Sequence, residues 1–326
     1  MSFRVIGAGS PLVDYTAAVS ECFLQQFSHG CKGGTVHISN AERGKLTAHL
    51  GSSMLRTPGG AAANTISALG KLHVSAAFIG KLGDDDDGDF FRRNLEDAGV
   101  STEFLYTVPG GDTGYCLSLV TPDAERTMRS NLGVSTAWHP EEFIPQMFSG
   151  SSWLLSEGYM LHIPGFVSIF DTAHAAGCRT ALDLSSIEIA RSMRVQLHSL
   201  IEEKIDFLLC NADEAAALTG VSSPEENISR LAEMSDIVVV KMGEYGSLVS
   251  GNGSIVHIPA IAEAPVVDTT AAGDHYAAGF FFGMSKNADW ETCGRYGAYL
   301  GGAISTVPGS QLPQEYWQKF LDKFDL

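Results

Sequence analysis

The chain has 326 residues, of which 44% are hydrophobic and 18% are charged, and its net charge is −17 at pH 7. This composition is typical of a globular protein with ample apolar material for a core. So negative a chain is a poor partner for nucleic acid or an anionic membrane surface, and no apolar run is long enough to predict a membrane span. ATP is not excluded, because backbone N–H groups at a helix start and Mg²⁺ can hold phosphates without a basic surface.

The beginning of the chain and its cysteines predict a cytoplasmic protein. Residues 1–9 lack the basic patch, long apolar stretch and cleavage site of a signal peptide, and they are predicted to form a buried strand. The cysteines are widely spaced, which is typical of reduced thiols and predicts no zinc site. They are Cys22, Cys31, Cys116, Cys178, Cys210 and Cys293.

Short apolar runs alternate with amphipathic segments along the chain. The predicted strands are residues 3–8, 75–79, 153–155, 180–184, 207–210 and 237–241. The predicted helices are residues 61–72, 166–176, 190–201 and 225–234. This alternation predicts an α/β fold in which helices cover both faces of a mainly parallel sheet, with the active site at the carboxyl ends of the strands.

Two regions interrupt the alternation. Residues 15–54 are longer and more polar than a connecting loop. Residues 102–131 contain two segments, 114–120 and 126–130, whose alternation predicts antiparallel strands. We predict that both regions build a small β-rich lid, inserted in a single domain that spans residues 1–326.

The segment that best indicates chemistry is residues 266–283, VVDTTAAGDHYAAGFFFG. Its turn of small residues before a predicted helix lets a ligand approach the backbone, and N–H groups at a helix start favour a phosphoryl oxygen. Asp274 follows directly and is placed to take a proton from an acceptor hydroxyl. Aspartate is also a favoured helix cap, so the segment alone leaves a purely structural role open. His275 is interpreted as structural, since adjacent helix residues point in different directions.

The segment DTTAAGD resembles the second signature of the PfkB/ribokinase family, usually written D-T-x-G-A-G-D. Six further segments resemble family motifs and occur in the family's order, which together identifies the chain as a member, most similar to the adenosine kinase-like branch. They are GSPLVD (9–14), PGGAAAN (58–64), GKLGDD (80–85) with Gly88, NADE (211–214), KMGEYG (241–246) and TVPGSQ (306–311).

The resemblance implies a ribokinase-like three-layer α/β/α sandwich with a mainly parallel sheet and a small β-rich lid. It implies an ATP-dependent kinase that phosphorylates a hydroxyl of a sugar or nucleoside, with ATP, Mg²⁺ and K⁺ as cofactors. The expected partner is this small molecule, with no nucleic acid and no membrane, and the family includes both monomers and homodimers.

The resemblance also implies roles for individual residues. Asp274 is the expected general base, and the turn Ala271, Ala272 and Gly273 is the expected anion hole. Acceptor contacts are expected from Asp14, Gly59, Gly60 and Asn64; Arg126, on a predicted lid strand, is a further candidate or a solvent-facing charge. Nucleotide contacts are expected from Asn211, Glu214, Lys241, Gly243, Gly246, Thr269 and Gly309. Glu214 is expected to hold Mg²⁺ through water, and Asp268 and Thr270 to hold the monovalent cation.

The chain departs from the family pattern at three positions. Ala271 stands where the family has glycine, which costs about 1 kcal/mol if the backbone there needs a positive φ. Ser10 and Ala61 replace residues that are commonly Asn and Ser in adenosine kinase-like relatives, which weighs against adenosine more than against kinase activity. A non-catalytic sugar- or nucleoside-binding protein and a nucleotide hydrolase are therefore the alternative interpretations.

Overall fold

The computed structural model describes residues 4–28, 32–50, 54–123 and 125–326. Residue 3 of the first predicted strand and Cys31 lie outside the described residues. The strands are β1 (Val5–Ala8), β2 (Leu12–Ala18), β3 (Thr35–His37), β4 (Leu55–Gly59), β5 (Ala76–Gly83), β6 (Leu105–Val108), β7 (Gly114–Val120), β8 (Arg126–Asn131), β9 (Trp153–Glu157), β10 (Arg179–Asp183), β11 (Phe207–Asn211), β12 (Ile237–Lys241), β13 (Ser247–Gly251) and β14 (Ser254–Ile258).

Short 3₁₀ turns lie mainly between β8 and β9. Longer α-helices pack against the strands. They are α1 (Glu21–Phe27), α2 (Asn40–Leu50), α3 (Ala61–Lys71), α4 (Asp86–Asp97), α5 (Ser168–Ala175), α6 (Ile187–Ser192), α7 (Arg194–Lys204), α8 (Ala212–Thr219), α9 (Pro224–Leu231), α10 (Ala272–Ser285), α11 (Trp290–Ile304) and α12 (Gln314–Lys323). Across the described ranges, no helix has the length and apolar character needed to cross a membrane.

Nine strands form one large sheet in the order β14-β13-β12-β11-β10-β9-β1-β5-β6. The pairs from β12 to β6 are parallel, and β13 and β14 add an antiparallel edge. Successive side chains of a strand point to opposite faces, and on β12 Ile237 and Val239 join one apolar core while Val238 and Val240 join another. Helices close both cores, so the predicted α/β fold with a mainly parallel sheet is confirmed.

The predicted helix over residues 190–201 is wrong in one respect, because it is two helices. α6 begins at Ile187, three residues earlier than predicted, and the hydroxyl of the preceding Ser186 accepts a hydrogen bond from the Ile189 amide. The backbone leaves the helical region at Met193 (φ −111°, ψ 20°), and α7 begins at Arg194.

Five strands form a second, small sheet in the order β3-β8-β7-β2-β4. The predicted antiparallel pairing of residues 114–120 with 126–130 is confirmed as β7 and β8. One face packs on α1 and α2 through an apolar cluster that includes Ala17, Leu24, Leu46, Leu117 and Leu119. The period of two and the register place Asp14, Cys116 and Arg126 on the opposite face.

The strands of this sheet begin and end at different residues from those predicted for the lid. β2 begins at Leu12, and β4 adds residues 55–59. β6 lies within the predicted stretch 102–131 but pairs with β5 at the edge of the large sheet.

The acidic run that starts α4 joins the small sheet to the large one. The Asp87 carboxylate pairs with Arg43 at 2.9 Å and also with Arg56, and it accepts a hydrogen bond from the Tyr15 hydroxyl. Although Asp87 belongs to this acidic run, only 8% of the residue is exposed. Two arginines and a carboxylate thus fasten the small sheet beside the strand ends.

Candidate active site

The first turns of α3 and α10 meet at the carboxyl edge of the large sheet, where they join two residues predicted to be functional. Asn64 Nδ2 donates a hydrogen bond to Asp274 Oδ2 at 2.8 Å. Next to it, Thr65 Oγ1 donates to the backbone carbonyl of Asp274 at 3.1 Å. The predicted general base is therefore held by the helix that carries a predicted acceptor contact.

The surroundings of Asp274 suit a proton acceptor. Burial raises the pKa of Asp274 to about 7, and the hydrogen bond from Asn64 opposes this rise. The carboxylate of Asp183 raises this pKa further, whereas the ammonium group of Lys241 lowers it. A carboxyl group whose pKa lies near neutral pH is suited to general base catalysis.

The turn before Asp274 is held in a left-handed conformation. Ala271 has φ 58° and ψ 13°, and it caps α10 without a side-chain hydrogen bond. The amides of Gly273 and Asp274 belong to the first helical turn, where no carbonyl of the helix precedes them, so they are suited to bind an anion. The positive φ that would make alanine costly at this position is thus present.

We expect Ala271→Gly to stabilise the fold by about 1 kcal/mol, because glycine adopts a positive φ without the clash of a β-carbon. Turnover is expected to change less than about threefold, since the amides of the turn stay in place. Urea unfolding and steady-state kinetics of both proteins measure these effects. A less stable Ala271→Gly protein would show that the turn gains more from the alanine methyl than it loses in strain.

His275 follows the predicted base and is structural, as the sequence suggests. Its ring stacks on Trp317, and its Nδ1 lies 3.0 Å from the Ala271 carbonyl. Burial lowers the pKa of His275 to about 4, so the ring is neutral at pH 7 and donates this hydrogen bond through Nδ1. The histidine thereby secures the end of the left-handed turn.

A buried ion pair lies against this turn. Lys241, the last residue of β12, places Nζ 2.8 Å from Oδ2 of Asp183, the last residue of β10. A β-carbon added to Gly273 would lie 3.0 Å from the same Nζ atom. Burial lowers the pKa of Lys241, but the carboxylates of Asp183 and Glu214 raise it more, so the net shift is upwards. A permanent positive charge therefore lies beside the predicted anion hole.

Asp183 is a functional candidate that the sequence prediction missed. It is the last residue of β10 and lies next to the end of the predicted strand 180–184, and an acidic residue at a carboxyl strand end is the signal that could have indicated it. Its partner lies 58 residues away in the sequence, so the pairing itself is not readable from spacing.

Glu157 is a second residue that the sequence prediction missed. It ends β9, only 2% of it is exposed, and its carboxylate accepts hydrogen bonds from the Ser10 amide at 2.9 Å and the Ala62 amide at 2.8 Å. Burial raises the pKa of Glu157 to about 7. The side chain fastens the β1–β2 connection to the start of α3, and thus positions the two segments that carry predicted acceptor contacts.

The lack of side chains at Gly59 and Gly60 lets the β1–β2 segment, which carries Asp14, pack closely against the start of α3. In the pairing of β2 with β4, Asp14 is opposite Thr57, and its carboxylate extends to Gly59, where a β-carbon would be 2.3 Å away. Gly60 has φ +97°, and a β-carbon there would be 2.4 Å from the Ser10 carbonyl. Burial raises the pKa of Asp14 to about 7, and Arg126 opposes this rise.

Asn211 and Glu214 form a reciprocal cap at the start of α8. The Glu214 amide donates to Asn211 Oδ1 and the Asn211 amide donates to Glu214 Oε2, both at 2.8 Å. Burial, followed by the charge of Asp183, raises the pKa of Glu214 to about 7. The cap uses the Oδ1 atom of Asn211, so the Nδ2 amide of the same side chain is available to a ligand.

A cavity of about 1010 Å³ opens beside these residues. It is large enough for a nucleotide. Of the residues predicted to contact the nucleotide, Asn211, Lys241 and Gly243 line it, together with Tyr245 and His257, whereas Glu214, Gly246, Thr269 and Gly309 do not. Among the described residues no group of three His, Cys, Asp or Glu side chains is arranged to hold a metal ion. The side-chain oxygens of Asn211 and Glu214 at the start of α8 are of the kind that Mg²⁺ accepts as ligands, directly or through water.

Asp268 and Thr270, which are predicted to hold a monovalent cation, form hydrogen bonds with each other. Asp268 Oδ1 accepts hydrogen bonds from the Thr270 amide at 2.9 Å and the Thr270 hydroxyl at 2.7 Å. Asp268 Oδ2 accepts from the Gly309 amide at 2.8 Å and from Arg126 Nη2. A carboxylate offers about four acceptor positions, so Asp268 does not fit K⁺ while Arg126 is in place.

Comparison with known proteins identifies the family. The sequence pattern of the pfkB family carbohydrate kinases matches residues 35–317. An ATP-dependent ribose-1-phosphate kinase of Halopiger xanaduensis is 33% identical over 265 residues, 79% of this chain and 84% of the relative. The aminoimidazole riboside kinase of Salmonella typhimurium is 27% identical over 279 residues, 79% of this chain and 86% of the relative. The crystal structure of adenosine kinase from Sinorhizobium meliloti has a TM-score of 0.88 at 27% identity, covering 98% of this chain and 99% of that chain.

The protein is therefore a sugar or nucleoside kinase, a phosphotransferase with an alcohol group as acceptor. It belongs to the pfkB family of carbohydrate kinases, whose pattern covers most of the chain. The similarity to the adenosine kinase confirms the predicted ribokinase-like fold and the predicted likeness to the adenosine kinase-like branch. ATP, generally with Mg²⁺, is the phosphoryl donor of these kinases.

Proposed function

We propose that the protein transfers the γ-phosphoryl group of ATP to a hydroxyl of a ribosyl compound, with Asp274 as general base. The observation that carries this proposal is the grouping at one helix start of a carboxylate with a pKa near 7, the turn amides and the Lys241 ammonium. Phosphoryl transfer needs mainly alignment and charge stabilisation, and these groups supply both.

In the proposed reaction the Asp274 carboxylate takes the proton of the acceptor hydroxyl. The oxygen of that hydroxyl then forms a bond to the γ-phosphorus, while the bond from this phosphorus to the bridging oxygen breaks and leaves ADP. The amides of Gly273 and Asp274 and the charge of Lys241 stabilise the transferred group. Asn64 keeps the carboxylate oriented towards the acceptor through its 2.8 Å hydrogen bond.

The nucleotide is proposed to occupy the cavity lined by Asn211, Lys241 and Gly243. Glu214 and Asn211 are proposed to hold Mg²⁺ through water, and the ion supplies charge neutralisation to the phosphates when it is bound. The acceptor is proposed to lie between the small sheet and α3, where Asp14, Gly59, Gly60 and Asn64 are grouped.

A ribosyl acceptor is supported by the names of the relatives. Ribose-1-phosphate, aminoimidazole riboside and adenosine are different compounds, but each contains a ribose ring. Asp14 and Asn64 offer the polar atoms that a ring with adjacent hydroxyls requires.

The proposal is tested by measuring ADP formation from ATP and Mg²⁺ with ribose, ribose-1-phosphate, adenosine and other ribonucleosides, and with fructose as an acceptor without ribose. We expect ADP and a phosphorylated product, identified by mass spectrometry, only with ribosyl compounds. ADP formation without any acceptor would indicate a hydrolase instead. No ADP with any acceptor, although ATP binds, would indicate a binding protein and make the strained Ala271 turn the suspected cause.

A further inference from the structure

Arg126 of the small sheet reaches across to the turn that precedes the proposed anion hole. One guanidinium nitrogen bonds Asp268 Oδ2 and the other bonds the Thr270 hydroxyl. The Asp268 side chain is only 8% exposed, whereas that of Arg126 is 35% exposed. The partly exposed Arg126 side chain therefore ends on a buried carboxylate.

The hydrogen bonds around Asp268 leave no acceptor position for a free cation. Two positions are taken by the amide and hydroxyl of Thr270 and one by the Gly309 amide, so Arg126 completes the set of about four. A guanidinium group is permanently charged and matches a carboxylate in shape. It supplies the charge that a monovalent cation would otherwise bring to this position.

We infer that Arg126 is the resident cation of the Asp268 site, and that this kinase positions the turn over residues 268–274 without a monovalent cation. The positive charge is part of β8, so it reaches the turn together with the small sheet. The inference adds to the proposed function. It rests on that function in one respect, because the test measures the binding of a nucleotide.

The test compares KCl with tetramethylammonium chloride at equal ionic strength. Binding of a non-hydrolysable ATP analogue with Mg²⁺ is measured by calorimetry, and the midpoint of thermal unfolding is measured without nucleotide. The wild-type protein is expected to show the same affinity and the same midpoint in both salts, within about twofold in affinity.

Arg126→Met opens one acceptor position on Asp268, so K⁺ is expected to bind there. The variant is expected to bind the analogue about tenfold more tightly in KCl than in the tetramethylammonium salt. Its unfolding midpoint is expected to rise with K⁺ concentration, since a ligand of the native state stabilises it. Arg56→Met is the matched control, because it breaks another pair between the small sheet and a buried carboxylate but leaves Asp268 unchanged.

The inference is overturned if wild-type protein gains affinity or thermal stability in KCl as much as Arg126→Met does. It is also overturned if folded Arg126→Met shows no response to K⁺, or if Arg56→Met shows the same response. If Arg126→Met does not fold, the wild-type protein decides alone, and a gain of more than about twofold in affinity in KCl overturns the inference. Neither readout involves an acceptor or turnover, so absence of kinase activity would contradict the proposed function and leave this result intact.

Discussion

Asp274→Asn is expected to lower turnover by about 10²–10⁴-fold, because asparagine cannot take the proton of the acceptor hydroxyl. The affinity for the ATP analogue is expected to change little, since the side chain keeps its shape and its oxygen still accepts the hydrogen bond from Asn64. In the wild-type protein kcat is expected to rise with pH through about 7, the pKa of Asp274. Steady-state kinetics over pH 5–9, a range of about four units around that pKa, measure both effects.

Asp274→Asn is also expected to stabilise the fold. A carboxylate that served the structure would instead destabilise the fold when it is replaced. A pKa raised from 3.8 to about 7 means that the ionised form disfavours the folded state. The native protein therefore loses stability as the pH rises from about 4 to about 7, and Asp274→Asn avoids this loss. Urea unfolding should show a more stable variant at pH 8, with the difference shrinking as the pH falls towards 4, the unfolded pKa being near this value.

Asp289→Asn is the matched control for this prediction. Asp289 also starts a helix, where its side chain accepts a hydrogen bond from the Thr292 amide, and asparagine caps a helix equally well. This variant should keep full turnover. If Asp274→Asn keeps full turnover as well, Asp274 serves only to join α10 to α3 through Asn64, and the general base must be sought elsewhere.

Much of the fold could be predicted because its causes are local. The apolar run over residues 237–241 is long enough for one buried strand, and β12 has these bounds. The alternation of residues 114–120 and 126–130 reflects one covered face, and the strands pair as predicted. The prediction of one helix over residues 190–201 was wrong because the break at Met193 is not marked by Gly or Pro in the sequence. The residues of β6 were assigned to the lid because the pattern of so short a strand does not indicate which sheet it joins.

The candidate site was only partly predictable, since its contacts join distant segments. The small-residue turn and Asp274 are contiguous in sequence, so their chemistry could be inferred from spacing. Arg126 and Asp268 are 142 residues apart, and their pairing depends on how the small sheet folds over the large one. Glu157 and Asp183 acquire their roles only because parallel strands bring their carboxyl ends to one edge.

Lys241→Met is expected to be the most destabilising single change in the site. It removes the cation from a region that also holds Asp183, Glu214 and Asp274, and leaves the Asp183 carboxylate buried without its partner at 2.8 Å. Loss of one member of a buried ion pair costs roughly 3–5 kcal/mol, and we expect this decrease in the free energy of unfolding at pH 8. The cost should decrease as the pH falls below about 7, the pKa of Glu214 and Asp274, because protonation of these two carboxyl groups lowers the negative charge that Lys241 balances.

The double variant Asp183→Asn/Lys241→Met separates stability from catalysis. A neutral asparagine no longer needs a counter-charge, so most of the lost stability should return, because replacing both members of a buried pair is often nearly neutral. Turnover should nevertheless remain roughly 10²–10³-fold below wild type, since the charge beside Gly273 that stabilises the transferred phosphoryl group is still missing. Recovery of turnover together with stability would mean that Lys241 serves only to neutralise Asp183, and that the amides of the turn over residues 271–274 bind the anion without it.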